Sequence, residues 1–208
     1  MRILVVSPHT DDAELGAGGS IVRFLEEGHS IMWIVFSIAE ETLPKGYPPD
    51  TLKKEFLAVV NELNIDTYKI FNFRVRHLHE HRQEILEELV KVRNQYNPDL
   101  VIGPSLNDFH QDHQVVANEI VRAFKMNASI INYELPWNHV TFNTQLFVKL
   151  EKRHIDKKIN LLSHYKSQII LKKRRYFNKE FIYGWARTHG VQCNAEYAEA
   201  FEVIRWIL

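Results

Sequence analysis

Apolar and polar positions alternate along this chain with two periods. Short, nearly continuous apolar runs at residues 2–6, 31–36, 68–71, 100–103 and 129–132 read as buried strands. Between them, apolar residues recur at helical spacing. Residues 20–27 predict a helix closed by Gly28, which suits a left-handed cap. Residues 51–63 predict another, with Leu52, Phe56, Val59, Val60 and Leu63 on one face. Residues 82–96 place Ile85, Leu86, Leu89, Val90 and Val92 inward and end before Pro98, and residues 114–124 complete the series. Residues 38–50 have no period and carry Pro44, Gly46, Pro48 and Pro49, so they read as a loop; residues 73–81 are irregular. Beyond residue 133 the pattern weakens. Short strands are expected in 134–150, a helix over 153–170 and a closing strand over 198–206.

Strands that alternate with helices predict an α/β fold with right-handed crossovers. The expected architecture is a Rossmann-like three-layer sandwich, its mostly parallel sheet ordered 3-2-1-4-5 plus C-terminal strands. A single domain over residues 1–208 is expected, with a core at 1–133 and an extension at 134–208. In this order strands one and four are neighbours, and their helices leave to opposite faces. A crevice then opens at their carboxyl ends, where such sheets hold ligands. His9, Asp11 and Asp12 leave strand one at that point; Asp108, His110, Asp112 and His113 leave strand four.

Composition narrows the chemistry. The 208 residues are 45% hydrophobic, enough for one sizeable core. Lys plus Arg and Asp plus Glu both count 26, which gives no support for a nucleic-acid or membrane-surface partner. The one cysteine, Cys193, excludes an intramolecular disulfide and a thiolate zinc site. No apolar run approaches the roughly 20 residues of a membrane span. No basic segment followed by an apolar one opens the chain, so a cytoplasmic protein is expected. The 11 histidines are the unusual count.

His9, Asp12 and His113 offer two nitrogens and one oxygen, a set that suits zinc with a position left for water. Ferrous iron or another divalent ion would accept the same donors. Asp11, beside a ligand, is the candidate base; His110, as imidazolium, the candidate stabiliser of an oxyanion; Asp112 the candidate that orients and charges His110. Blander readings exist. An Asp-Asp pair also suits a helix start. Gly16, Gly18 and Gly19 suggest a nucleotide-binding module, but the spacing departs from G-x-G-x-x-G and the neighbouring acids repel phosphate, so tight helix packing is expected instead. His77, His79 and His81 read as a polar surface loop, with a pocket rim or a second metal as alternatives; the basic run 172–175 reads as solvated surface. Tyr47, Phe73, Trp137 and Trp185 are candidate sugar platforms or ordinary packing.

His9-Thr10-Asp11-Asp12-Ala13-Glu14-Leu15-Gly16-Ala17-Gly18-Gly19 and His110-Gln111-Asp112-His113 together resemble the two motifs of the LmbE-like, or PIG-L-type, zinc-dependent N-acetylglucosaminyl deacetylases. Weaker echoes lie at residues 53–63, 98–101, 164–168 and 197–205. The resemblance implies zinc on His9, Asp12 and His113, a base at Asp11 and an oxyanion-stabilising histidine at His110. Thr10 replaces the usual Pro, and Lys53 stands near a substrate-holding Arg without its bidentate fork. The implied reaction removes acetyl from an N-acetylated amino sugar or its conjugate. An amidase for another N-acyl group, such as a thiol conjugate or an acylated antibiotic, is the alternative, and a sugar binder without turnover a weaker one. The resemblance also allows a homo-oligomer.

Overall fold

The computed structural model describes residues 1–207. Its strands are β1 (Arg2–His9), β2 (Ser30–Ser37), β3 (Tyr68–Ile70), β4 (Leu100–Pro104), β5 (Ser129–Tyr133), β6 (Leu146–Leu150) and β7 (Tyr197–Arg205). The helices are α1 (Asp12–Glu26), α2 (Thr51–Glu62), α3 (Arg82–Tyr96), α4 (Gln111–Phe124), α5 (Lys152–Leu162) and α6 (Lys179–Gln192). One seven-stranded sheet runs β3-β2-β1-β4-β5-β7-β6. The first five strands pair in parallel, and β7 lies antiparallel between β5 and β6. The expected 3-2-1-4-5 order and Rossmann-like layering are therefore present.

The two-residue period of a strand decides which layer each side chain enters. On β1, Ile3 and Val5 join the core beneath α1, α2, α5 and α6, while Leu4 and Val6 join the one beneath α3 and α4. On β2, Ile31, Trp33 and Val35 face the first core, and Met32, Ile34 and Phe36 the second. Burial on both faces explains why these strands read as continuous apolar runs.

Four expectations are corrected. Helix α1 begins at Asp12, eight residues before the predicted start at 20. Its first two turns hold three glycines and acids, which hide the helical period. A Cβ on Gly16 would stand 2.4 Å from Tyr133 Cδ2, and one on Gly19 would stand 2.6 Å from Leu150 Cδ1. The glycines thus let α1 close on the sheet, as the packing reading expected. Residues 134–150 yield one strand, β6. The predicted 153–170 helix ends at Leu162 and gives way to a π-turn at Ser167–Leu171. Helix α6 was not expected: it buries only Ile182, Ala186, His189 and Gly190, too sparse a stripe to show a period.

Strand β7 ties distant parts together through two buried acids. Glu199 accepts from the Gly19 and Ser20 backbone N–H groups of α1 and from Lys158 Nζ at 2.6 Å. Glu202 accepts from Ser105 Oγ and Asn107 Nδ2, in the loop that follows β4. Among the described residues no helix is long and apolar enough to cross a membrane.

Candidate metal centre and pocket

The site lies at the carboxyl ends of β1 and β4, adjacent parallel strands. At the end of β1, the His9 backbone N–H donates to Asp12 Oδ2 at 2.8 Å, which folds that carboxylate back over the strand end. Thr10 stands between them fully buried, and its carbonyl accepts the Tyr165 hydroxyl. This bond secures a turn that lacks proline's fixed φ. At the end of β4, Asp108 Oδ1 accepts the His110 backbone N–H at 2.7 Å, and His110 caps α4 by accepting the Asp112 N–H at 3.2 Å through Nδ1.

Three donor atoms converge. His9 Nδ1 lies 3.1 Å from Asp12 Oδ2, Asp12 Oδ2 3.3 Å from His113 Nε2, and His113 Nε2 3.3 Å from His9 Nδ1. Donors placed tetrahedrally at zinc–ligand distances of about 2.0–2.1 Å are themselves about 3.3 Å apart. The triangle therefore has the edge length of one face of such a polyhedron. The far nitrogen of each imidazole is also held by a carboxylate: His9 Nε2 by Asp112 Oδ2 at 2.9 Å, and His113 Nδ1 by Asp108 Oδ2 at 2.7 Å. Carboxylates placed in this way fix ring orientation and tautomer and raise ligand basicity. His9, His110 and His113 also offer nitrogens within 4.8 Å of one another, so a metal could be held by all three. However, His110 Nδ1 is occupied as the helix cap. A neutral ring then carries its proton on Nε2 and presents a donor, not a ligand.

Protonation tells the same story. Burial opposes charge on His9 and His113, but Asp12, aided by Asp112 and Asp108 respectively, outweighs it and raises their pKa values to about 9 and about 10. Burial alone would raise Asp12; His113 and His9 hold it well below the usual carboxylate range. Asp12 at the converging donors, with Asp112 and Asp108 behind the two imidazoles, calls for positive charge there, which a divalent cation supplies, so the donor set fits one. Burial, then the Asp12 charge, pushes neighbouring Asp11 up to about 6.

The sequence-based roles need two corrections. Asp112 does not orient the His110 ring through its carboxylate; that group holds His9 and accepts the Arg76 N–H at 2.7 Å. His110 also departs from the expected imidazolium: its Nδ1 accepts the Asp112 N–H, and burial, with His113 and His9 adding, lowers its pKa to about 4.

The donors open onto a pocket of about 230 Å³ lined by His9, Asp11, Asp12, His110 and His113. Trp137 and Tyr176 stack in its wall, with ring centroids 3.9 Å apart. Of the four candidate platforms, Trp137 alone lines this pocket. Phe73 packs on Phe36 and Phe71, Trp185 donates to Glu134, and Tyr47 lies at a separate surface cavity. Lys53 is exposed and outside the pocket. Its place is taken by cations that sequence reasoning missed: Arg76, Lys172 and Arg174. The basic run is thus partly a pocket wall; its sole sequence hint was proximity to Gln168, which also lines the pocket. In the histidine-rich loop, His77 and His81 pair with Glu80 and Glu84, so it remains a polar surface.

A sheet of this order, with a cluster at its switch point that could hold a metal ion, defines an α/β protein with a candidate metal site. The chain belongs to the PIG-L (GlcNAc-PI de-N-acetylase) family, whose model matches residues 4–124. It is 25% identical over 170 residues to the uncharacterized deacetylase YaiS of Escherichia coli (strain K12), covering 79% of this chain and 90% of that one. Among solved structures it is similar to the N,N'-diacetylchitobiose deacetylase of Pyrococcus horikoshii, with a TM-score of 0.82 and 16% identity over 98% of this chain and 83% of the other. It is also similar to GalB, the 4-carboxy-2-hydroxymuconate hydratase of Pseudomonas putida KT2440, with a TM-score of 0.78 and 19% identity over 100% and 98% of the two chains. One fold thus carries more than one chemistry, and function has to be argued from the site.

Proposed function

We propose that this protein is a zinc-dependent N-deacetylase that removes acetyl from an N-acetylated amino sugar or its conjugate. The observation that carries the reading is the His9–Asp12–His113 donor triangle beside a carboxylate, Asp11, that bears no ligand role. His9 Nδ1, Asp12 Oδ2 and His113 Nε2 would hold the ion, which supplies Lewis acidity toward a carbonyl and a water of lowered pKa. Asp11 takes the proton of the attacking water, a task suited by a pKa raised to about 6. His110 donates from Nε2 to the oxygen of the tetrahedral intermediate. Protonated Asp11 then returns its proton to the departing amine nitrogen, so the base is regenerated. Asp108 and Asp112 keep His9 and His113 in the ligating tautomer. The stacked Trp137 and Tyr176 offer a flat face for a sugar ring.

The test is acetate release from N-acetylglucosamine, its phosphates and its small conjugates, by protein as purified, chelated, and reloaded with zinc. Metal-dependent acetate supports the reaction. No acetate from zinc-loaded protein on any of these substrates overturns it, and a panel of other N-acyl compounds then tests the amidase alternative. Failure of the protein to take up any divalent metal overturns the ligand set itself.

A further inference from the structure

The pocket is acidic at its floor and basic at its wall. Arg76, Lys172 and Arg174 line it from two separate loops, and none of the three makes an ion pair within 4.0 Å among the described residues. Lys172 is half-buried, and its Nζ has one hydrogen-bond partner, the neutral Thr42 hydroxyl at 2.7 Å. The ammonium can donate three hydrogen bonds, so two remain unused. Burial lowers its pKa; Asp11 opposes that, while Arg174 and Arg76 add to it.

Their backbones are held in place. Arg76 takes a left-handed conformation, φ +68°, which a long side chain rarely adopts without support. Its N–H donates to Asp112 Oδ2 at 2.7 Å, and its carbonyl accepts Gln111 Nε2 at 2.6 Å. The residues that clamp Arg76 are thus the opening residues of α4, the helix that also carries His113. Lys173, at φ +48°, turns the chain between Lys172 and Arg174. That turn is closed by the Lys172 and Arg174 N–H groups, which donate to the Ser167 and Gln168 carbonyls at 3.2 and 3.1 Å. Three like charges gathered at one cavity repel one another unless an anion joins them.

We propose that the substrate carries an anionic group, a phosphate or a carboxylate, which Arg76, Lys172 and Arg174 bind while the N-acyl group lies over the metal donors. Arginine and lysine on a cavity wall are the usual recognition groups for such anions. The inference rests on the proposed N-deacetylase reading for its acyl end only; the anion end rests on the three cations.

The experiment measures binding by calorimetry, so it does not depend on turnover. Metal-free protein is titrated with N-acetylglucosamine, N-acetylglucosamine 6-phosphate, N-acetylglucosamine 1-phosphate and N-acetylmuramic acid. At least one anionic sugar is expected to bind roughly tenfold or more tightly than the neutral one, the worth of one charge-assisted hydrogen bond. The tightest arm identifies the anion and its position. This preference should shrink at least tenfold in Lys172→Met combined with Arg174→Ala. In the unaltered protein it should also weaken as salt rises from 20 to 500 mM, because screening acts on the charged ligands alone. The salt series serves as the criterion if the double variant fails to fold. Equal binding of neutral and anionic sugars, or a preference insensitive to both salt and substitution, overturns the inference. Acetate release from neutral N-acetylglucosamine with no anion preference would leave the reaction standing and sink this proposal alone.

Discussion

Asp108→Asn removes one charge and almost no volume, and its effect can be worked out atom by atom. Asp108 is 1% exposed. Its Oδ2 accepts from His113 Nδ1 at 2.7 Å and from Asn138 Nδ2 at 3.2 Å, and its Oδ1 accepts the His110 N–H at 2.7 Å. An asparagine has only one oxygen to offer. If that oxygen faces His113, the new amide N–H₂ points at the His110 N–H, and two donors meet in a buried site. If it faces His110, the amide instead donates to His113 Nδ1, which forces the imidazole proton onto Nε2, the atom that must ligate. The first arrangement keeps two of three bonds and is expected to win. An unmet buried hydrogen bond costs about 1–3 kcal/mol. Loss of the carboxylate behind a ligating histidine weakens metal binding by roughly 10–100-fold. The assay is competition for zinc against a chromophoric chelator, paired with denaturant unfolding of the metal-free protein. Affinity within about threefold of the parent protein, below the lower bound of that range, would refute the argument that the Asp108 charge strengthens His113 as a ligand.

Other outcomes follow from the same geometry. His113→Ala should lose bound metal by elemental analysis; full occupancy would show that His110 or another group ligates in its place. Asp11→Ala should keep its metal yet lose about 10²–10⁴-fold in acetate release; near-parental rates would remove Asp11 from the proton transfer. Gly16→Ala gains about 1 kcal/mol of helix propensity, but its Cβ would press three Tyr133 side-chain atoms at 2.4–2.8 Å. Overpacking of about 1–3 kcal/mol or more should prevail and lower Tm by a few degrees; an unchanged Tm would mean Tyr133 steps aside. The His189–Glu134 pair, 2.7 Å apart, gives a pH signature. Burial opposes both charges, yet Glu134 with Gln192 raises His189 above its ordinary 6.5, and His189 with Trp185 lowers Glu134 below its ordinary 4.5. The raised histidine stabilises fully below 6.5 and loses this as pH climbs through its folded value; the depressed glutamate stabilises fully above 4.5 and loses this as pH falls through its own. Glu134→Gln should therefore lower Tm most between pH 4.5 and 6.5 and least in strong acid or alkali. A flat difference across pH would show that the pair stays neutral.

Residues that belong to buried strands and striped helices were legible because burial writes a period into the chain. Ile3 to Val6, and the helix faces of Phe56 and Leu89, follow this rule. The convergence of His9, Asp12 and His113 was legible for a second reason: once β1 and β4 are neighbours, the three have one place to meet. What lay hidden depends on conformations that carry no period. Arg76 and Lys173 take positive φ values that nothing local announces, so the cations they position looked like surface. Asp112 sits two residues from His110, which suggested that pair. The first turn of α4 instead sends its carboxylate to His9, 103 residues away. The first turns of α1 were masked by the glycines that let them approach the sheet.

The two acids of β7 bear on how the protein comes into being. His9, Asp12 and His113 are all synthesised by residue 113, and the last pocket-lining residue by Tyr176. Yet the loop before Asp108 is anchored to Glu202, and α1 to Glu199. On the ribosome, the site's own residues emerge well before the strand that secures them. Helix α1 and the loop before Asp108 would thus lack these anchors until β7 slots between β5 and β6.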